Sequence, residues 1–85
     1  MKQFRYTIKD EIGIHARPAG LLAKKAREYR SNVSVECREK RANATKLMAI
    51  MGMGIKYGDV VTVTIEGVDE EIAAKELECF FSENL

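Results

Sequence analysis

The apolar residues of this chain recur with two different periods, and the change from one period to the other most constrains the fold. Apolar and polar residues alternate around Phe4, Tyr6 and Ile8, and again over 60–66, as in strands with one buried face. From Ala16 the apolar positions instead follow helical spacing. In chain order the segments predict strand, helix, strand, strand, short helix, strand, helix. This pattern favours a two-layer α+β domain with helices on one side of a mainly antiparallel sheet.

Loop-forming residues set the expected bounds of the first elements. The first helix should begin near Ala16 and end at Ser31-Asn32. It is expected to bury one largely alanine face: Ala19, Leu22, Ala23, Ala26 and Tyr29. Alternation over 33–37 predicts the second strand, and Glu39-Lys40 is the expected hairpin turn before a short strand around 41–43.

The later elements are a short helix, the clearest strand and a final helix. The short helix is expected from Thr45 to about Met53 and is apolar nearly all round, so periodicity alone does not say which side is buried. The strand over 60–66 follows a turn at 56–59. Asp69 is the expected N-cap of the last helix. The apolar stripe of that helix is expected at Ile72, Ala73, Leu77, Phe80 and Phe81.

Length and cysteine usage limit the class of protein. The 85 residues predict a single domain, 1–85, which is large enough to fold without a disulfide or a metal. Cys37 and Cys79 are far apart and form no CxxC pair, which favours reduced thiols. The N-terminal residues contain no long apolar run, so neither a signal peptide nor a membrane span is expected. These features together predict a cytoplasmic protein.

The net charge of +1 hides a strong polarity along the chain. Residues 1–46 carry twelve basic and five acidic residues, a balance of +7, whereas residues 47–85 carry two basic and eight acidic residues, a balance of −6. A basic half suits an acidic protein surface or a nucleic acid. Two halves that attract each other within one fold would explain the same pattern, and the charge alone does not decide between these readings.

The most informative segment is the run Gly-Ile-His-Ala-Arg-Pro-Ala at 13–19. His15 is the only histidine and lies where the loop meets the predicted helix, and Pro18 is tolerated in a first helical turn. The backbone N–H groups of Ala16 and Arg17 and the guanidinium of Arg17 suit an anion such as phosphate. The same field disfavours a positive charge on the imidazole, which favours covalent capture of a phosphoryl group.

Other roles for His15 have less support. A capping or surface histidine is possible for a lone histidine at a helix start. No second histidine or cysteine cluster could complete a metal site, so no metal is expected.

The run at 13–19 resembles the active-site signature of HPr, the histidine-containing phosphocarrier family of the bacterial phosphotransferase system, and the similarity extends over essentially the whole chain. The resemblance implies an open-faced sandwich in which three helices cover one face of a four-stranded antiparallel sheet (βαββαβα). It implies that His15 accepts a phosphoryl group from enzyme I, which phosphoenolpyruvate charges, and donates it to enzyme IIA domains of sugar transporters. Arg17 then contacts the phosphate.

The resemblance also implies a partner-binding surface around the histidine: Ala16, Gly20, Lys24, Arg27, Leu47, Met48 and Met51. On this reading the methionines of the short helix are exposed and adaptable. The chain is expected to be a carrier rather than an enzyme, with no cofactor. It is expected to be a monomer that neither binds nucleic acid nor inserts into membranes.

Two positions depart from the family pattern. Ile12 stands where many members have a small polar residue, so it offers no side-chain hydrogen bond to the phosphate. Lys46 occupies the position of the serine that HPr kinase phosphorylates in many Gram-positive bacteria, and Thr45 beside it is a poor substitute.

Two other functional classes remain open at this stage. The first is a regulatory protein that docks without transferring phosphate, against which the presence of both His15 and Arg17 argues. The second is a nucleic-acid-binding module, which would display aromatic residues on its strands. Phe4 and Tyr6 are instead expected to point inward.

Overall fold

The computed structural model describes residues 1–85 as seven elements connected by short loops. They are β1 (Lys2–Thr7), α1 (Ala16–Ala26), β2 (Ser31–Cys37), β3 (Lys40–Asn43), α2 (Leu47–Gly52), β4 (Val60–Gly67) and α3 (Glu70–Asn84). The strands form one antiparallel sheet in the order β1-β4-β2-β3. The helices cover one face, so the predicted open-faced sandwich is confirmed. No helix combines the length and apolar character needed to cross a bilayer.

The core lies between the helices and the inner face of the sheet. Its largest fully buried side chains include Phe81, Leu22, Ile50, Ile65 and Leu77. Phe4 and Tyr6 are half-buried, and each ring packs edge-on against Phe81 with centroids 5.6 Å apart. The two strand aromatics therefore face the helices as predicted, and they are not available as stacking platforms on the open face.

The first helix is shorter than predicted. It ends at Ala26. Two backbone hydrogen bonds that each span three residues, from Glu28 to Lys25 (3.1 Å) and from Tyr29 to Ala26 (3.4 Å), close its last turn. The predicted stop at Ser31-Asn32 is wrong, because Ser31 begins β2 opposite Gly67. The expected apolar face is buried except for Tyr29, which lies beyond the helix and is half-buried.

The hairpin turn lies one residue earlier than predicted. Cys37 pairs with Lys40, and the turn residues are Arg38 and Glu39, with φ of 49° and 70°. Two left-handed residues match the twist of the flanking strands. Arg38 is held there by its ion pair with Asp59 and by a bond of 3.0 Å to the carbonyl of Gly54, which explains a turn without glycine or asparagine.

Asp69 stands at the N-cap of α3, as predicted, but its side chain does not cap that helix. Its carboxylate instead accepts the N–H of Arg30 at 2.8 Å and the hydroxyl of Ser31. These bonds attach the start of β2 to the start of α3, which is why β2 begins before the alternating pattern does. In α3 the expected apolar stripe is buried at Ala73, Leu77 and Phe81 and half-buried at Phe80. The prediction that Ile72 belongs to this stripe is wrong, because Ile72 is exposed.

The end of α1 is clamped to α3 by a small polar cluster. The hydroxyl of Tyr29 donates to the carboxylate of Glu76, and the ammonium of Lys25 lies 3.6 Å from the same carboxylate. That ammonium also lies 5.7 Å from the centre of the Tyr29 ring. Burial, followed by the bond to Glu76, raises the pKa of Tyr29 to about 12.

This clamp predicts a loss of stability in alkali. Because the pKa of Tyr29 is raised in the folded state, its contribution is complete below about pH 10, the value for a free phenol. It is lost as pH rises towards the folded value of about 12. Tyr29→Phe should lower the free energy of unfolding by about 1 kcal/mol at neutral pH and reduce the decline between pH 10 and 12. Urea unfolding across this range measures both effects. Tyr57→Phe, at an exposed tyrosine, is the control and should retain the wild-type decline.

Candidate functional site

His15 is the N-cap residue of α1, where the sequence placed it. Its backbone is extended (φ −111°, ψ −170°), and its carbonyl accepts the N–H of Ala19 at 2.9 Å. The imidazole is half-buried and makes no capping bond to the helix. Its ring nitrogens therefore remain available for chemistry.

The first turn of α1 is positively polarised and uncompensated. The N–H groups of Ala16 and Arg17 have no acceptor within the helix, and no side chain caps them. The turn contains no acidic residue, and Pro18 fills a buried position that lacks an N–H group. An anion beside His15 would therefore meet free donors and the positive end of the helix dipole.

His15 opens onto a shallow depression of about 260 Å³. The residues that line it are Asp10, His15, Arg17, Pro18, Leu21 and Asn84. Arg17 is exposed and forms no ion pair, so its guanidinium is free to bind an anion held by the imidazole. The arrangement suits a nucleophilic histidine that forms and then stabilises a bond to a small anionic group.

The loop that leads to His15 is held from both sides. The N–H groups of Lys9 and Asp10 donate to the backbone oxygen of Leu85 at 2.7 and 2.8 Å, so the end of α3 supports the loop. One carboxylate oxygen of Asp10 accepts the N–H of Ile12 at 2.9 Å. The N–H of Ile14 donates to the carbonyl of Ile55 at 3.1 Å. These bonds fix the backbone on the approach to the histidine.

Gly13 is required both by its conformation and by its surroundings. Its φ is +83°, in the left-handed region that favours glycine. A Cβ atom added here would lie 2.4 Å from the carbonyl oxygen of Ile55 and 2.7 Å from the Cα of Lys56. The loop therefore packs backbone against backbone at this point.

The helix α2 presents Met48 and Met51 to solvent. Met48 and Met51 are 76% and 37% exposed, whereas Ile50 and Met53 are buried. Leu47 is half-buried and packs on the core. Periodicity left the buried side open, and the structure places the methionine side outward, as the resemblance implied.

The remaining residues of the predicted surface lie on α1. Gly20 has open space around its Cα, and Lys24 is exposed. Arg27 donates from its guanidinium to the carbonyl of Thr45 at 2.9 Å, which links the end of α1 to the segment before α2. The predicted surface therefore spans two helices that are in contact.

The sequence did not mark Leu21 or Asp10 as site residues, and it marked Ile12 only as a position without a hydrogen bond to the phosphate. Leu21 and Ile12 expose 41% and 68% of their surface, so exposed apolar surface extends beyond α2. Asp10 lines the depression with His15, and the spacing of Asp10 and Ile12 is the signal of an Asx turn that could have identified its local fold. Its position beside the imidazole depends on tertiary packing.

The chain matches a known family over nearly its full length. The family model described as the PTS HPr component phosphorylation site covers residues 2–83. The phosphocarrier protein HPr of Lysinibacillus sphaericus is 39% identical over 83 residues, covering 98% of this chain and 94% of the relative.

Solved structures show the same fold. The crystal structure of HPr-C-His from Thermoanaerobacter tengcongensis is 39% identical, with a TM-score of 0.93 over 99% of this chain and 94% of that one. A crystal structure of an HPr dimer from the same organism is 40% identical, with a TM-score of 0.77 over 98% of this chain and 95% of that one.

The packing of Gly13 predicts a large effect of one methyl group. Gly13→Ala should lower the free energy of unfolding by about 3 kcal/mol, since it combines a left-handed residue with a backbone clash. Gly54→Ala is the matched control, because Gly54 has φ +65° but nothing within 4 Å of an added Cβ. It should cost only about 1 kcal/mol. Equal losses in urea unfolding would contradict the proposed close approach.

Proposed function

Because the chain belongs to the HPr family of phosphocarrier proteins, we propose that His15 accepts a phosphoryl group from enzyme I, which phosphoenolpyruvate charges. It then donates the group to enzyme IIA domains of sugar transporters in the cytoplasm. The observation that supports this proposal is the single histidine at an uncapped helix start, with Arg17 lining the same depression. The chain carries the group between partners and is not itself an enzyme.

The chemistry needs little beyond these groups. A lone pair on a ring nitrogen of His15 forms the new bond to phosphorus as the bond to the donor breaks. The Arg17 guanidinium and the N–H groups of Ala16 and Arg17 stabilise the negative charge on the phosphoryl oxygens. The group then leaves by the reverse step when a partner's nucleophile replaces the imidazole.

Incubation with enzyme I and phosphoenolpyruvate tests the proposal. Intact mass should show one acid-labile phosphoryl group on the wild type and none on His15→Ala. Arg17→Glu should slow transfer strongly while changing stability by no more than about 0.5 kcal/mol, because Arg17 is exposed. Lys40→Glu makes the same charge change on β3 and should transfer at the wild-type rate. A phosphoryl group on the His15→Ala variant would contradict the assignment.

We propose that both partners bind one docking surface. Its apolar part consists of Ala16, Gly20, Leu47, Met48 and Met51, and its basic part consists of Arg17, Lys24 and Arg27. Flexible methionines adapt to different partners, and unpaired basic side chains attract acidic ones. A shuttle must dissociate quickly, so an interface near or below about 1,200 Å² is expected.

The docking surface predicts that two independent changes lower the rate of phosphoryl transfer from enzyme I. Met48→Asp should lower the rate of transfer from enzyme I at least about tenfold, because it places a charge at the apolar centre. Val68→Asp, at a similarly exposed apolar residue after β4, is the control and should have little effect. The wild-type rate should also fall as salt rises. Transfer that is insensitive to both Met48→Asp and salt would exclude this surface.

We also propose that residues 1–85 act as one domain and as a monomer, because a shuttle must leave each partner. Dimers occur among the solved relatives, so light scattering under the conditions of the transfer assay is the appropriate measurement.

Regulation by serine phosphorylation is the point on which we propose a departure from the family. Lys46 is exposed at the N-cap of α2, where the family's regulatory serine would stand. The hydroxyl of Thr45 donates to the side-chain oxygen of Asn43 at 2.7 Å, and the backbone N–H of Thr45 donates to the same oxygen at 2.9 Å. This hydroxyl is engaged in the turn before α2 and is poorly placed to accept phosphate.

HPr kinase with ATP should therefore add no phosphate to residues 45–47. Lys46→Ser should gain phosphorylation, which adds up to about two negative charges beside the docking surface and should slow transfer from enzyme I. Lys46→Ala is the control for loss of the lysine alone and should remain unphosphorylated. Stoichiometric phosphorylation of Thr45 in the wild type would contradict the proposal.

A further inference from the structure

We propose that Asp10 destabilises the phosphorylated state of His15 and so raises the tendency of the carrier to give up its phosphoryl group. This inference rests on the proposed function, since it concerns the same histidine. It assigns a role to a carboxylate that the run at 13–19 does not include.

The geometry places a carboxylate in the same depression as the nucleophile. Asp10 is half-buried and lines the same depression as His15 and Arg17. Three hydrogen bonds hold it there. Its N–H donates to Leu85 (2.8 Å), its carbonyl accepts from Gly13 (3.0 Å), and one carboxylate oxygen accepts from Ile12 (2.9 Å). A residue anchored through both its backbone and its side chain cannot easily swing away when a second anion arrives.

The charge of Asp10 is not neutralised by a fixed partner. No lysine or arginine lies within ion-pair distance of its carboxylate. Its second carboxylate oxygen has no hydrogen bond within the protein. Arg17 is the only lysine or arginine that lines the depression. The carboxylate and a phosphoryl group in this depression would therefore repel each other, with one guanidinium to offset both charges.

This repulsion acts on one side of the transfer equilibrium. When His15 is phosphorylated, a ring nitrogen forms a bond to phosphorus, and the donor keeps the electron pair of the bond that breaks. The phosphoryl oxygens bring their negative charge into the depression, whereas the unphosphorylated imidazole brings none. Asp10 thus raises the free energy of the phosphorylated form only. The N–H donors of α1 and the guanidinium of Arg17 lower the free energy of that form. The difference between this stabilisation and the repulsion from Asp10 sets the phosphoryl-transfer potential of the carrier.

A competition experiment measures this balance directly. Wild-type protein labelled with ¹⁵N is mixed with an equal amount of unlabelled Asp10→Asn and a trace of enzyme I. Phosphoenolpyruvate is added in an amount too small to phosphorylate all of the carrier. Intact mass then gives the phosphorylated fraction of each protein at equilibrium. The asparagine keeps an oxygen that can accept the N–H of Ile12, so the turn is retained while the charge is removed. Asp10→Ser, whose hydroxyl can accept the same bond, is the second variant and guards against an effect specific to the amide.

Glu11→Gln is the matched control. Glu11 adjoins Asp10 and is exposed, but it does not line the depression. Removal of its charge tests whether any neighbouring carboxylate would have the same effect.

The expected result is that both Asp10 variants hold the phosphoryl group about two- to tenfold more strongly than the wild type, the range typical of partly exposed charges. The excess should shrink as salt rises, and Glu11→Gln should equal the wild type. Equal partition between the wild type and the Asp10 variants, or the same shift in Glu11→Gln, would overturn the proposal.

Failure of the proposed function gives a different signal. In that case enzyme I leaves the wild type unphosphorylated, and the mixture is treated with potassium phosphoramidate at a fixed ammonium concentration instead. This reagent phosphorylates histidine without a protein partner. The ratio of phosphorylated wild type to phosphorylated Asp10→Asn then decides the role of Asp10 by the same criterion.

Discussion

The close packing of Gly13 on the backbone at Ile55 and Lys56 is the contact on which the site depends. It allows the N–H of Ile14 to reach the carbonyl of Ile55, and these contacts determine where the loop ends and α1 begins. Reciprocal backbone bonds join Ile8 to the 58–59 turn on the same side. The free N–H groups of α1 can face an anion beside His15 only because this junction holds the helix start in place.

The same architecture separates residues that stabilise the fold from residues that remain free to bind. The basic and acidic halves of the sequence meet at the surface of the fold in the ion pairs of Lys25 with Glu76 and of Arg38 with Asp59. Internal attraction therefore accounts for part of the charge polarity. Arg17 and Lys24 form no ion pair and lie on the helix that begins at His15. The remaining basic charge is thus available to a partner.

The stability of the protein in acid should depend on the carboxylates that stabilise the fold and not on the one that lines the depression at His15. The bond to Arg38 lowers the pKa of Asp59, and the bond to Ser31 lowers that of Asp69. Because both pKa values are depressed in the folded state, their stabilisation is complete above the pH at which an unfolded aspartate titrates and is lost as pH falls from there through the lower folded pKa. Neither carboxylate lines the depression at His15. Asp10, which does line it, has no ion-pair partner.

The sequence by itself determined the order of the elements, the two-layer α+β class and the placement of His15 and Arg17 at the start of α1. These follow from local rules, because hydrophobic periodicity and a helix start act over a few residues. Tertiary structure decided the end of α1, the hairpin turn at Arg38 and the presence of Asp10 beside the histidine. Each of these depends on bonds between residues distant in sequence: Ser31 with Asp69, Arg38 with Asp59, and Asp10 with Leu85. Tertiary packing likewise decides which side of α2 faces outward, because Ile50 and Met53 pack into the core. A helix that is apolar all round carries no local signal of which side is buried.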